Sequence, residues 1–561
     1  MIKIEIYLKY YIFIIYKLIM SLELVKTKDD KFKEEYPNLI KKINYRKLKE
    51  FDPKIDEIEQ VYKIIKDFII EKKRKIYGGY ALNLLLKQKD PKLAIYDDFE
   101  LTQADIEFYS STPMEDLVEL CNKIYEAGFK PVTGQEAQHK ETYSVFVNYR
   151  QYCDITYIPN NINRKARFIT IDNMYLIHPW FMMIDYFRMF TDPLTSYWRL
   201  EKHFERYKRV EKVYPLPLIQ KPLSISSYKD KGVSEAINLI FDYITEKQSV
   251  LLTGFYVYNY YLYQSDYKKY NKNYEYITIP YLEAYSTNYI QDGLDIMEFI
   301  KTMPESLANR ITLTEYFPFF QFYGYNFVLY YNDGTDAIPI LYFYSNNKKC
   351  IPYKQVDYIK FDNLNKLKPT LDINKKINIG CFDHNILHSL IILVKVRVDD
   401  DNEWNDILYK LINCFVTFRN YYLEKNKKSI YDDTIFQGFV LDCMGETILP
   451  DREKRLLGEA RKKAGKPYNY KYEPSVSKPP GKYTFANSSG NKIIKDSQLK
   501  LKKENLTKNL LDEFEEIESS ESSEENKEIQ TSEIITDTVN TSEQLNSLDT
   551  TETSDETDIS K

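Results

Sequence analysis

The stretch KIYGGYALNLLL, Lys75 to Leu86, sets two of the 16 glycines of a 561-residue chain side by side between two apolar patterns. Upstream, Ile55, Ile58, Val61, Ile64, Ile65 and Phe68 recur at three- and four-residue intervals, which predicts a helix over 53–73. Lys75-Ile76-Tyr77 then reads as a short strand, and YALNLLLKQ returns to helical spacing until Pro91 stops it. Paired glycines at such a junction let the backbone approach an anion without a Cβ clash. The amides that open the next helix present partial positive charge to it.

Working outward, ADIEFYSSTP alternates as a strand, with Asp105, Glu107 and Tyr109 on one face and Ile106 and Phe108 on the other. A helix is expected over 117–127. TYSVFVNYRQYCDITYIP reads as two strands around 148–151, the second carrying Tyr152, Asp154 and Thr156 on one face. Three converging carboxylates need an explanation. Two unit negative charges about 4 Å apart repel by roughly 4 kcal/mol at an effective dielectric near 20, so such a set requires raised pKa values or bound cations. Hard divalent ions such as Mg²⁺ favour carboxylate and phosphate oxygens. A pair of them suits phosphoryl or nucleotidyl transfer.

The pattern recurs about 175 residues on. LTGFYVYNYYL echoes the glycine segment, PYLEAYSTN the acidic strand, and NFVLYYNDGTDAIPILYFYS the strand pair. Counted this way, Gly254 stands for Gly79 and Thr253 for Gly78. Tyr281 replaces Asp105, Pro339 or Ile340 falls at Asp154, and Glu283 alone keeps its acid. The first copy carries the chemistry and the second only the fold.

The segments IYGGYALN, DIEFYSSTP and HKETYSVFVNYRQYCDITYIP resemble the polymerase β-like nucleotidyltransferase superfamily. More narrowly, they resemble the poly(A) polymerase catalytic subunits of large nucleocytoplasmic DNA viruses, of the giant-virus, mimivirus type and related to those of poxviruses. The resemblance covers residues from about 40 to 474. It implies a template-independent enzyme that adds AMP from ATP to the 3′ end of viral mRNA. Asp105, Glu107 and Asp154 would be catalytic and hold two Mg²⁺ or Mn²⁺ ions, and Gly78 and Gly79 would hold the incoming nucleotide. It further implies a homodimer, or a pairing with a viral cap methyltransferase-like subunit, working in the host cytoplasm at the viral factory or packaged in the virion. Two features depart from compact relatives: Glu107 stands where many have Asp, and 26 residues separate Gly79 from Asp105. Two other readings stay open. One is a uridylyl or oligoadenylate-type nucleotidyltransferase, and the other is an inert RNA-binding subunit.

The expected architecture is α+β. A nucleotidyltransferase domain with a mixed sheet occupies 51–210 after an N-terminal segment (1–50), and a degenerate copy occupies 211–395. A helical part (396–474) and a linker with a disordered acidic tail (475–561) follow. Residues 509–561 hold 17 Asp/Glu against 2 Lys/Arg, so the body before them carries a net charge of +10 within an overall −5. Such a body suits a polyanion or merely a solvated surface. Arg199, Lys202, Arg206 and Arg209 recur at three- and four-residue spacing, and the first three are candidate phosphate or RNA contacts.

The apolar residues between Lys9 and Lys17 are too few for a membrane span of about 20. No membrane partner is expected, and residues 1–19 are read as an extension upstream of the true start. Six cysteines without a CxxC pair are expected to be free thiols. Cys381, His384 and His388 have ligand-like spacing but lack a fourth zinc ligand nearby, His178 reads as a helix-start or core histidine, and His139 receives no role. No G-x-S-x-G and no Walker lysine accompany the glycines.

Overall fold

Helical spacing becomes burial in the first helices of the computed structural model. It describes residues 29–476 apart from 52, 140, 220, 348, 365, 366, 399 and 400. The expectations for residues 1–19 and for the acidic tail lie outside that range. Helix α1 (Asp29–Glu50) precedes α2 (Ile55–Glu71), which buries Ile58, Val61, Ile65 and Phe68. Strand β1 (Lys75–Tyr77) runs straight into α3 (Gly78–Lys89), so both glycines lie in the first turn of the helix. Then come β2 (Ile106–Ser110), α4 (Pro113–Glu126), β3 (Val132–Glu136), β4 (Thr142–Val147) and β5 (Arg150–Tyr157). Asn148 and Tyr149, at φ 48 and 63°, join β4 to β5 in the two-residue geometry that matches strand twist. Strands β6 (Phe168–Ile171) and β7 (Met174–Ile177) and helices α5 (Pro179–Phe190) and α6 (Pro193–Val213) complete the first half.

The second half contains α7 (Lys231–Ile244), β8 (Val250–Thr253), α8 (Phe255–Ser265), β9 (Leu282–Ser286), α9 (Tyr289–Thr302), β10 (Ile311–Tyr316), β11 (Asn326–Asn332) and β12 (Ala337–Ser345). Strands β13 (Ile351–Phe361) and β14 (Pro369–Gly380) and helices α10 (Phe382–Val398) and α11 (Asn402–Asn426) follow. Strand β15 (Cys443–Met444), helix α12 (Pro450–Lys463) and strand β16 (Lys471–Tyr472) close the described chain. The stretch expected to be helical thus also returns one short strand to the edge of each sheet.

Two mixed sheets result, ordered β16-β3-β4-β5-β2-β1-β7-β6 and β10-β11-β12-β9-β8-β14-β13-β15. From β3 to β6 the first matches the second from β10 to β13, strand for strand. In each, the third and fourth strands of the shared order pair parallel (β5 with β2, β12 with β9), the next pair is antiparallel, and the one after it is parallel again. The internal repeat is a repeat of the fold.

Strand pairing corrects the register counted from sequence. Glu107 lies opposite Tyr77 as Glu283 lies opposite Thr253, so Gly254 corresponds to Gly78 and Phe255 to Gly79. Gly78 and Gly254 share the left-handed φ, at 74 and 66°. On the neighbouring parallel strand Glu107 faces Asp154, whereas Glu283 faces Tyr342. Tyr342, not Pro339 or Ile340, therefore stands at the third acid. Counting slips because the second copy has longer hairpins: residues 148 and 149 alone join β4 to β5, whereas 333–336 join β11 to β12, and the strand irregularity between Leu329 and Tyr330 is shared with the first copy at Val145 and Phe146.

The expectation of six free thiols also needs correction. Cys350, beside β13, is joined to Cys443 of β15 by a disulfide, while Cys121, Cys153, Cys381 and Cys414 are free and buried. Spacing alone gave no sign of a pair 93 residues apart that only the sheet edge brings together. Among the described residues no helix is long and apolar enough to cross a membrane.

Candidate active site

Strand alternation turns Glu107 and Asp154 toward the same side, and the parallel pairing of β2 with β5 makes them neighbours. Asp105 sits just before β2 and is exposed to solvent. The site has an aromatic wall: Tyr77 stacks on Tyr109 with centroids 4.0 Å apart, and its hydroxyl lies 2.7 Å from Thr156 Oγ1. Phe320 of the second half meets Tyr109 edge-on at 5.8 Å.

The glycines hold Glu107 in place. The Gly79 amide donates to Glu107 Oε2 over 3.1 Å, and a Cβ on Gly78 would overlap that carboxylate. The helix-opening amide that the sequence reading gave to a phosphate is thus taken by an acid of the site. Above Gly79, a Cβ would end 2.6 Å from Tyr96 Oη and 3.2 Å from Arg206 Nη2. Arg206 donates to Tyr96 Oη over 2.8 Å. Asn83, one turn into α3, accepts the Ile95 and Tyr96 amides at 2.7 and 2.8 Å and fixes the loop that carries Tyr96.

Each acid has its own surroundings. Asp154 Oδ1 accepts from Ser144 Oγ at 2.5 Å and Gln151 Nε2 at 2.9 Å. Burial raises its pKa despite these bonds. Burial pushes Glu107 up to about 7, with Asp154 and Asp105 adding to the rise and the Gly79 amide and Arg206 opposing it. Asp105 is also raised by the surrounding protein, against the pull of Arg150 and Lys202. Among the described residues no three His, Cys, Asp or Glu side chains are grouped closely enough to hold one ion. Glu107 and Asp154 are strand neighbours, with Asp105 just before β2, rather than a closed cage. As a donor set they fit hard divalent cations, because they offer carboxylate oxygens only and their repulsion and desolvation would be relieved by positive charge.

The basic stripe of α6 divides. Arg206 lies over Gly79, and Lys202 is close enough to feel Asp105 and Glu107. Arg199 instead lies with its guanidinium 4.2 Å from the Trp198 ring centroid. Arg209 is spent on the Leu93 and Ala94 carbonyls, so it holds the Tyr96 loop rather than a ligand. His178 caps the start of α5, accepting the Trp180 amide at 3.3 Å, as a helix-start histidine should. Sequence reasoning missed Ser144, Gln151, Tyr96 and Asn83. Only Asn83 left a signal, as a polar residue in an apolar helix that recurs as Asn259.

In the second copy, aromatic rings take the place of the site. Phe255, at the Gly79 position, lies 5.3 Å from Tyr281 and 5.8 Å from Trp404, and Tyr281 lies 4.8 Å from Tyr342. Glu283 keeps the glycine contact, since a Cβ on Gly254 would overlap its carboxylate. It is buried against His388, with Nε2 to Oε1 at 2.8 Å, and His388 Nδ1 lies 3.1 Å from Tyr285 Oη. Of the ligand-like trio, His388 is thus already engaged by both nitrogens.

A family model described as "Poly(A) polymerase catalytic subunit" matches residues 63–196, and one described as "APMV, Putative poly(A) polymerase, catalytic subunit, C-terminal" matches 225–503. The "Putative poly(A) polymerase catalytic subunit" of Acanthamoeba polyphaga mimivirus is 35% identical over 500 residues, 84% of this chain and 83% of that one. The African swine fever virus protein of the same description, from isolate Pig/Kenya/KEN-50/1950, is 32% identical over 184 residues, 32% of this chain and 37% of that one. The crystal structure of the Megavirus polyadenylate synthase superposes with a TM-score of 0.70 at 33% identity, covering 81% of this chain and 88% of that one. Likeness of this extent, along most of the sequence, shows that the chain belongs to the poly(A) polymerase catalytic subunit family.

Proposed function

We propose that this chain is a template-independent polynucleotide adenylyltransferase that transfers AMP from ATP to the 3′ end of RNA. The observation that carries the reading is the pairing of Glu107 with Asp154 across adjacent parallel strands, directly beside the Gly78-Gly79 turn and Arg206. In the reaction the RNA 3′ oxygen bonds to the α-phosphorus of ATP, the bond to the β-phosphate breaks, and pyrophosphate leaves. Asp105, Glu107 and Asp154 would hold two Mg²⁺ or Mn²⁺ ions, which when bound supply activation of the attacking hydroxyl and charge neutralisation at the leaving group.

The chain's own residues do the rest. Arg206, held by Tyr96, presents a planar donor to phosphate oxygens above Gly79, a position that Tyr96 and Arg206 can occupy because Gly79 has no side chain. Ser144 and Gln151 both donate to Oδ1 of Asp154 and so fix the orientation of its carboxylate. Retention of all three acids in the first copy, against their loss at two of three positions in the second, favours an active enzyme over an inert subunit.

The test incubates the full chain with labelled RNA primer, each nucleoside triphosphate separately, and Mg²⁺ or Mn²⁺, alongside Asp105→Ala. Extension with ATP that disappears in the variant is expected. Extension with UTP alone would reassign the enzyme to uridylyl transfer, and binding without extension would make it an inert subunit.

A further inference from the structure

Helix α6 carries an oddity that the transfer reaction does not absorb. On a polar helix whose buried residues are Pro193, Ser196 and Val210, Trp198 is 64% exposed. Arg199 lies over its ring at 4.2 Å. Lys202, exposed, is one turn further along, and Arg206, over Gly79, is one turn beyond that. At 1.5 Å per residue, Trp198 stands about 12 Å along the helix from Arg206, the length of roughly three or four stacked nucleotides at 3.4 Å each.

We infer that Trp198, backed by the Arg199 guanidinium, is a stacking platform for a primer base a few nucleotides upstream of the 3′ end, with Lys202 on the intervening phosphates. The inference deepens the proposed function and rests on it for the direction of the strand. A single strand bound without regard to sequence needs π-faces for its bases and cations for its backbone. This turn of α6 offers both, leading away from the carboxylates. Arg199 and Lys202 beside the ring suit a polyanionic strand, and a contact between copies of the chain is an outcome that the test separates.

The experiment compares wild type, Trp198→Ala and Trp198→Phe on two primers, an oligo(A) of about ten nucleotides, within the ~4–16 span of single-strand sites, and a dinucleotide too short to reach the platform. Trp198→Ala is expected to lower the long-to-short ratio of kcat/KM by roughly five- to a hundredfold, the ~1–3 kcal/mol of one stacked base, mainly through primer KM. Trp198→Phe is expected to recover most of it. Oligo(A) should also quench tryptophan fluorescence in wild type, and Trp198→Phe should abolish that quenching. An unchanged ratio overturns the inference. So does a loss shared by both primers together with an altered mass in light scattering, which would make the patch an interface between copies. If wild type extends no primer at all, the transfer reading falls, and the quenching still decides whether Trp198 meets a base.

Discussion

The Gly79 amide donates a hydrogen bond to Glu107, 28 residues later, and the Gly78 Cα faces the same carboxylate too closely for any side chain. The acid and the turn therefore fix each other before any nucleotide arrives. Gly78→Ala must strain a φ of 74° and displace Glu107. A cost of ~1–3 kcal/mol in stability and about a hundredfold in AMP transfer is expected. Gly254→Ala meets the same backbone and the same overlap with Glu283. It should lower Tm to a similar degree while the folded fraction retains its kcat. Thermal melts and single-turnover assays on both variants check this.

Glu107 makes stability depend on pH. Its pKa rises from 4.5 in the unfolded chain to about 7 in the fold. Between those values the folded protein keeps a proton that the unfolded chain has lost, so this residue's contribution falls as pH rises through the window. Glu107→Gln removes the penalty. It should gain ~3 kcal/mol over wild type at pH 8 but little at pH 4, and it should abolish transfer. Denaturant melts across pH measure the difference, and a constant offset would refute it.

Asn83 supports the site from one helical turn away. Asn83→Ala leaves the Ile95 and Tyr96 amides without their acceptor, at an expected ~1–3 kcal/mol. Because Tyr96 holds Arg206, KM for ATP should rise more than primer KM. Asn83→Asp keeps the acceptor and should restore most of the stability.

In the second copy, Glu283 is buried against His388. Glu283→Ala should cost ~1–3 kcal/mol by stranding a buried polar partner. Primer extension measured well below Tm should match wild type, since the site positions around it are filled by Phe255, Tyr281 and Tyr342.

Much of the site was legible in the linear pattern because strand alternation and helical period are local properties. They placed Glu107 and Asp154 on strand faces and the glycines at a helix start, and they showed that the pattern recurs. Pairing is not local. The register that equates Gly254 with Gly78 and Tyr342 with Asp154 depends on backbone hydrogen bonds between distant strands and on where each hairpin closes, which no count of residues shows. The cysteine pair at the sheet edge and the strands returned by the C-terminal part have the same cause.

The sequence by itself thus determined the chemistry on offer: three carboxylates, a glycine turn and a basic helix, in an order that fits a nucleotidyl transfer family. Only the tertiary structure decided how they are used. It spends the Gly79 amide on Glu107, commits Arg209 to the Tyr96 loop and turns Arg206 over the glycine. Which partner each group meets is settled by packing between elements far apart in the chain, because each buried polar group must find an acceptor or donor wherever the fold brings one within reach.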